Sequence, residues 1–137
     1  SIKKEFTLPN VSQTVILTRL EGRTPVPEKE KLEELAKHQA SMALFLSVGM
    51  IDDVVKRLLT AYPQTTPVAV VQRASWEDEK IVIGTLQNIA VKVKEANITK
   101  TAQILVGNFI EGEYDRSLLY HENFTHEYRK AKDCESK

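Results

Sequence analysis

The sequence predicts an α/β fold, a five-stranded mixed sheet flanked by helices on both faces. Three observations lead there. Five short runs rich in β-branched and apolar residues alternate with segments of helical period. Two of those runs, PVAVVQ (67–72) and KIVIGT (80–85), are separated only by a short polar turn. They predict an antiparallel hairpin, so the sheet is mixed rather than wholly parallel. The chain has 137 residues, 42% of them apolar and 28% charged, which suits one soluble domain with a real core.

Ser1–Gln13 is a mixed lead-in without clear period, and 1–13 reads as a segment preceding the domain proper, 14–112. Thr14–Arg19 (TVILTR) predicts the first strand. The loop LEGRTPVP (20–27) is stiffened by two prolines, and Pro27 suits the first turn of a helix over Glu28–Gln39. Glu28 and Glu30 favour the start of that helix, while Leu32, Leu35 and Ala36 face inward. MALFLS (42–47) predicts the second strand. Ile51–Ala61 carries the clearest helical signal: Ile51, Val54, Val55, Leu58 and Leu59 form one apolar face, with Asp52 and Asp53 in the first turn. Pro63 ends it. After the hairpin, Thr85 is placed to cap a helix bearing Leu86, Ile89, Ala90 and Val93. TAQILVGN (101–108) predicts the fifth strand. Residues 113–137 read as a polar tail in which Leu118, Leu119 and the aromatics Tyr114, Tyr120, Phe124 and Tyr128 pack one weak helix.

Composition excludes several classes. Nineteen basic residues balance nineteen acidic ones, so the basic surplus of a nucleic-acid binder is missing. No apolar run reaches the ~20 residues needed to span a bilayer, and the start has no signal-peptide core, which makes a cytoplasmic location the expectation. The single cysteine, Cys134, allows no intrachain disulfide and no cysteine-rich metal site. His38, His121 and His126 match no zinc spacing, so no metal is expected. Glu77, Asp78 and Glu79 read as the solvated tip of the hairpin. Glycine-rich phosphate-binding motifs are missing from the sequence.

Two features rise above this background. The run Gly22–Pro27 (GRTPVP) is open to two readings: a well-made strand-to-helix connection, or a rigid holder that presents Arg23 to a carboxylate. Small residues also stand at three presumed strand ends, Ser47, Ala74-Ser75 and Gly107-Asn108. They are open to reading as turn chemistry or as one edge of the sheet where a flat ring meets the backbone, provided those strands are neighbours and their ends coincide.

Several stretches, LTRLEGRTPVPEKEKLEELAKHQASMALFLS, TPVAVVQRASWEDEKIVIGTL, ILVGNFI and the tail YDRSLLYHENFTHEYRK, resemble the C-terminal half of the precorrin-4 and cobalt-precorrin-4 C11-methyltransferases, within the tetrapyrrole methylase superfamily. The resemblance runs from about Phe6 to Lys130. GRTPVPE and RASWEDEKIV are its more specific parts; the wider superfamily shares mainly the P-A-V, GTL and ILVG pattern.

The resemblance implies a C-terminal domain with a five-stranded mixed sheet, and S-adenosyl-L-methionine as cofactor with S-adenosyl-L-homocysteine as product. It implies a reduced tetrapyrrole, precorrin-4 or cobalt-precorrin-4, as substrate in cobalamin biosynthesis. It also implies an N-terminal domain that carries the glycine-rich part of the site and is not in this sequence, so turnover by this chain alone is not expected. Carried over by position, cofactor contacts fall at Leu46 and Ser47, at Arg73 and Ala74, and near Gly107 and Asn108. Many superfamily members have Met where this chain has Ser47, which favours a backbone contact there. Arg23 is expected to face the cleft and meet substrate carboxylates. No catalytic residue is assigned. Loss of a partner domain would expose apolar surface, so self-association into a homo-oligomer is expected. The competing reading, from a different class, is a non-catalytic α/β binding or interaction module.

Overall fold

A computed structural model of the chain describes residues 1–110. The expected tail helix around Leu118–Tyr128, together with His121, His126 and Cys134, lies outside the described residues.

Five strands form one sheet: β1 (Val15–Thr18), β2 (Ser41–Leu44), β3 (Pro67–Gln72), β4 (Lys80–Thr85) and β5 (Ala102–Val106). Their spatial order is β1-β2-β5-β3-β4. β1 and β2 are parallel, whereas β5 runs antiparallel to both its neighbours, and β3 and β4 form the expected hairpin, Pro67 opposite Thr85 and Gln72 opposite Lys80. The C-terminal ends of β1, β2 and β3 therefore share one edge with the start of β5.

Among the described residues three α-helices, α1 (Leu32–Ala36), α2 (Ile51–Leu58) and α3 (Ile89–Glu95), accompany the sheet. The pleat sorts each strand's residues by parity. Met42, Leu44, Val68, Val70, Ile104 and Val106 point to one side, where they meet Leu32 and Ala36 of α1, Val54 and Leu58 of α2, and Ile89 and Val93 of α3. Ala43, Ala69, Val71, Ile81, Ile83 and Leu105 point to the other, with Ile2, Phe109 and Ile110. The mixed five-stranded sheet with packed helices is as the sequence predicts, but the helices are distributed more narrowly. Among the described residues all three lie on the first face. The second is covered by the lead-in and by a 3-10 turn, Asn108–Ile110.

The lead-in earns its place through apolar anchors. Ile2 is buried, and the rings of Phe6 and Phe109 lie 4.9 Å apart with their planes tilted by 43°. An irregular spacing hides these anchors from periodicity. The long helix expected over Glu28–Gln39 is broken: Glu28–Glu30 is a 3-10 turn, and Lys31 is extended (φ −61°, ψ 146°) before α1 begins. α3 starts later than expected because Asn88, not Thr85, shapes its entry. Asn88 Oδ1 accepts the Thr85 N–H at 2.8 Å.

Candidate functional site

At the shared edge the chain forms a cleft of about 300 Å³. β2 contributes Phe45 and Leu46 from its C-terminal extension. β3 contributes Val71, Arg73, Ala74 and Trp76, and the start of β5 contributes residues 101–103. The backbone here is held out of its relaxed state. Leu46 (φ 56°), Arg73 (φ 51°), Ser75 (φ 65°) and Thr101 (φ 57°) all adopt the left-handed region. Among the described residues these are four of eight non-glycine positions with that conformation. Each costs on the order of 1 kcal/mol, and such strain concentrates where function requires a particular backbone path. The path is fixed by hydrogen bonds: Arg73 N–H donates to Thr101 O at 2.9 Å, and Gln72 Nε2 donates to Lys100 O at 3.0 Å.

The side chains divide by role. Leu46 is 85% exposed, projecting an apolar side chain over the cleft. Ala74 leaves the end of β3 open to close approach. The Arg73 guanidinium is turned to the hairpin tip, where it pairs with Asp78 and lies 5.6 Å from the centroid of the Trp76 ring.

Ser47 is fully buried and does not line the cleft. Its hydroxyl accepts the Leu20 N–H at 2.9 Å and donates to Phe45 O at 2.7 Å. It thus ties the end of β1 to the end of β2 and sets the turn that presents Leu46.

A second groove of about 380 Å³ adjoins the cleft through Phe45 and is walled by Leu17, Arg19, Pro25 and Val26. The GRTPVP loop is held at its foot. Arg19 Nη1 donates to Thr24 O at 3.1 Å. Arg57 Nη1 donates to Glu21 Oε1 at 2.9 Å and to Glu33 Oε1 at 3.0 Å, and its Nε lies 3.3 Å from Asp53 Oδ2. The hydrogen bond to Glu21, with the other two carboxylates, raises the Arg57 pKa further above its ordinary value. Arg23 sits exposed on this loop and lines neither the cleft nor the groove.

Leu46, Arg73 and Ala74 therefore come together as expected of one edge, whereas Gly107 and Asn108 do not join them. β5 is antiparallel to β2 and β3, with Val106 opposite Met42 and Val68. Its end consequently falls beside the starts of those strands, roughly 15 Å away at ~3.3 Å per residue. Gly107 serves there as a tight corner (φ 146°), its N–H donating to Pro67 O at 3.1 Å. The opposite end of β5, residues 101–103, occupies the place expected of Gly107-Asn108. Sequence reasoning also passed over Arg19 as a wall residue and Trp76 as more than part of the tip. The signal for both was present: Arg19 ends a strand at the shared edge, and Trp76 is a large aromatic in an otherwise charged turn. Among the described residues no cluster of His, Cys, Asp and Glu is arranged to hold a metal ion, and no helix is long and apolar enough to cross a membrane.

Fold and edge together define an α/β unit with a cleft at the carboxyl ends of its strands, the place where open α/β sheets hold ligands. The chain belongs to the Tetrapyrrole (Corrin/Porphyrin) Methylases, whose family pattern matches residues 2–90. It is 62% identical over 133 residues to the cobalt-precorrin-4 C(11)-methyltransferase of Methanocaldococcus jannaschii, a match covering 96% of this chain and 51% of that protein. It is 47% identical over 126 residues to the precorrin-4 C(11)-methyltransferase of Pseudomonas aeruginosa, covering 91% and 50%. The chain thus spans about half the length of the curated relatives it matches. Among solved structures, a cobalt precorrin-4 methyltransferase superposes with a TM-score of 0.78 at 46% identity, over 81% of this chain and 47% of its own. The uroporphyrin-III C-methyltransferase of Thermus thermophilus, solved with S-adenosylhomocysteine, gives 0.65 at 18% identity, over 79% and 46%. At that identity the likeness is one of fold.

Proposed function

We propose that this chain is the C-terminal half of an S-adenosylmethionine-dependent methyltransferase acting on carbon 11 of precorrin-4 or cobalt-precorrin-4, in the cytoplasm, in cobalamin biosynthesis. The observation that carries the reading is the strained edge cleft of Leu46, Arg73 and Ala74, in a chain 62% identical to a relative named for that reaction. The residues present fit one side of an adenosyl group. An exposed leucine and a strand end closed only by alanine offer apolar packing and backbone access to a flat base.

The cofactor supplies a methyl group already activated on a sulfonium sulfur, so direct displacement by a substrate carbon requires alignment and dryness more than acid–base groups. Leu46 and Val71 exclude water from one wall. Ser47 and the Arg73–Thr101 hydrogen bond hold the strand ends in register. Arg19, at the wall of the neighbouring groove, is the arginine better placed than Arg23 to face a polyanionic substrate. The apolar rim of Leu17, Leu46 and Trp76 is the surface that an N-terminal domain would cover, or through which the isolated chain would self-associate.

The test is calorimetric titration of S-adenosylhomocysteine into this chain, and into a fusion of this chain to the N-terminal half of the Methanocaldococcus relative. Binding in the fusion, with little or none in the chain alone, is the expected result. A folded fusion that binds nothing would overturn the reading in favour of a non-catalytic module.

A further inference from the structure

We propose that Trp76 is a stacking platform for the adenine ring, held in position by Arg73 and Asp78. The proposal rests on the adenosyl-site reading above and adds a binding residue to it. Trp76 is 61% exposed, yet it is not a loose surface side chain. Its backbone N–H donates to Arg73 O at 3.0 Å, closing the turn that carries it. The Arg73 guanidinium lies over its ring and is itself fastened to Asp78 across the same turn. A cation against the ring restrains the indole and leaves more than half of its surface free.

That free surface borders the cleft that Leu46 and Ala74 also line. An exposed tryptophan with restricted motion, beside a small residue and an apolar one, suits a planar aromatic ligand: stacking supplies affinity, and little side-chain entropy remains to be lost. The dimensions favour adenine. A cleft of about 300 Å³ has room for one fused bicyclic ring with part of its ribose.

Trp76 is the single tryptophan of the chain, so its emission reports on the cleft directly. S-adenosylhomocysteine and adenosine are titrated into this chain and into the fusion, with emission in the fusion taken as the difference from its Trp76→Phe variant. Affinities are measured in parallel by calorimetry. Both ligands are expected to quench Trp76. Trp76→Ala is expected to weaken S-adenosylhomocysteine binding about ten-fold, Trp76→Phe is expected to restore most of it, and both variants are expected to melt within a few degrees of the parent. Asp78→Asn, which loosens Arg73, is expected to fall between parent and Trp76→Ala. Calorimetric binding without a change in Trp76 emission, with Trp76→Ala at parental affinity, would overturn the proposal and leave the adenosyl site standing. Binding by neither chain nor fusion would overturn both.

Discussion

The two faces of the sheet use apolar surface differently. The first is sealed: Leu58, Val54 and Ile89 are fully buried between sheet and helices. Among the described residues the second is only partly covered. Lead-in and 3-10 turn shield its centre, but Leu17 remains 66% exposed toward the edge, and the cleft and the adjoining groove open beside it. Apolar area on the first face stabilises the fold. On the second it is left available, and the backbone strain of Leu46, Arg73 and Thr101 collects beside it. A unit of this size can maintain such an open, strained edge because its other side is conventionally packed.

Substitutions on the two faces should therefore separate stability from binding. The largest stability effect is expected from Leu58→Ala on the sealed face: about 3 kcal/mol lost in urea unfolding, from removal of a buried side chain and the cavity it leaves. An equal loss from Leu17→Ala would erase the distinction between the faces.

Next comes Tyr62, buried under the first face with its hydroxyl donating to Ala40 O at 2.6 Å. Burial pushes its pKa from 10.0 up to about 12. The unfolded phenol ionises first, so this contribution is whole below pH 10 and is lost as pH climbs toward 12. Tyr62→Phe should cost about 1 kcal/mol at pH 7. Its alkaline decline should be shallower by roughly 2 kcal/mol, which would reverse the order of the two proteins at the top of that range. Parallel stability curves from pH 7 to 12 would contradict the assignment.

The smallest stability effect belongs to the open edge. Leu46→Gly relaxes a left-handed backbone while adding unfolded-state freedom, so stability should stay within about 0.5 kcal/mol of the parent. Nucleoside binding should nevertheless fall several-fold, read by the same calorimetry.

Much of the fold was legible because its signals are local. The apolar runs of β3 and β5, the period of α2, and the short polar turn between β3 and β4 each report on a few neighbouring residues. What escaped depended on partners distant in sequence. Nothing within TAQILVGN tells which way the strand runs beside β2 and β3, so whether its glycine end meets the ends of those strands stays open until the antiparallel pairing is seen. The break at Lys31 and the capture of the Thr85 N–H by Asn88 are hydrogen-bonding choices that periodicity does not record. At the edge, Ala74 stood out as a small residue at a strand end, whereas Leu46 was named only through resemblance. The part taken by Trp76 emerged only when Arg73 was seen against its ring.

The place of β5 has one more consequence, for the order in which the molecule can assemble. The middle strand of the sheet is the last strand among the described residues, and there it alone joins the β1–β2 pair to the β3–β4 hairpin. During synthesis both pieces must wait with an apolar, unpaired border until Ala102–Val106 has left the ribosome. A message cut short just before that point would release two half-sheets with complementary sticky margins. The strand made after the other four thus decides whether the two half-sheets close into one.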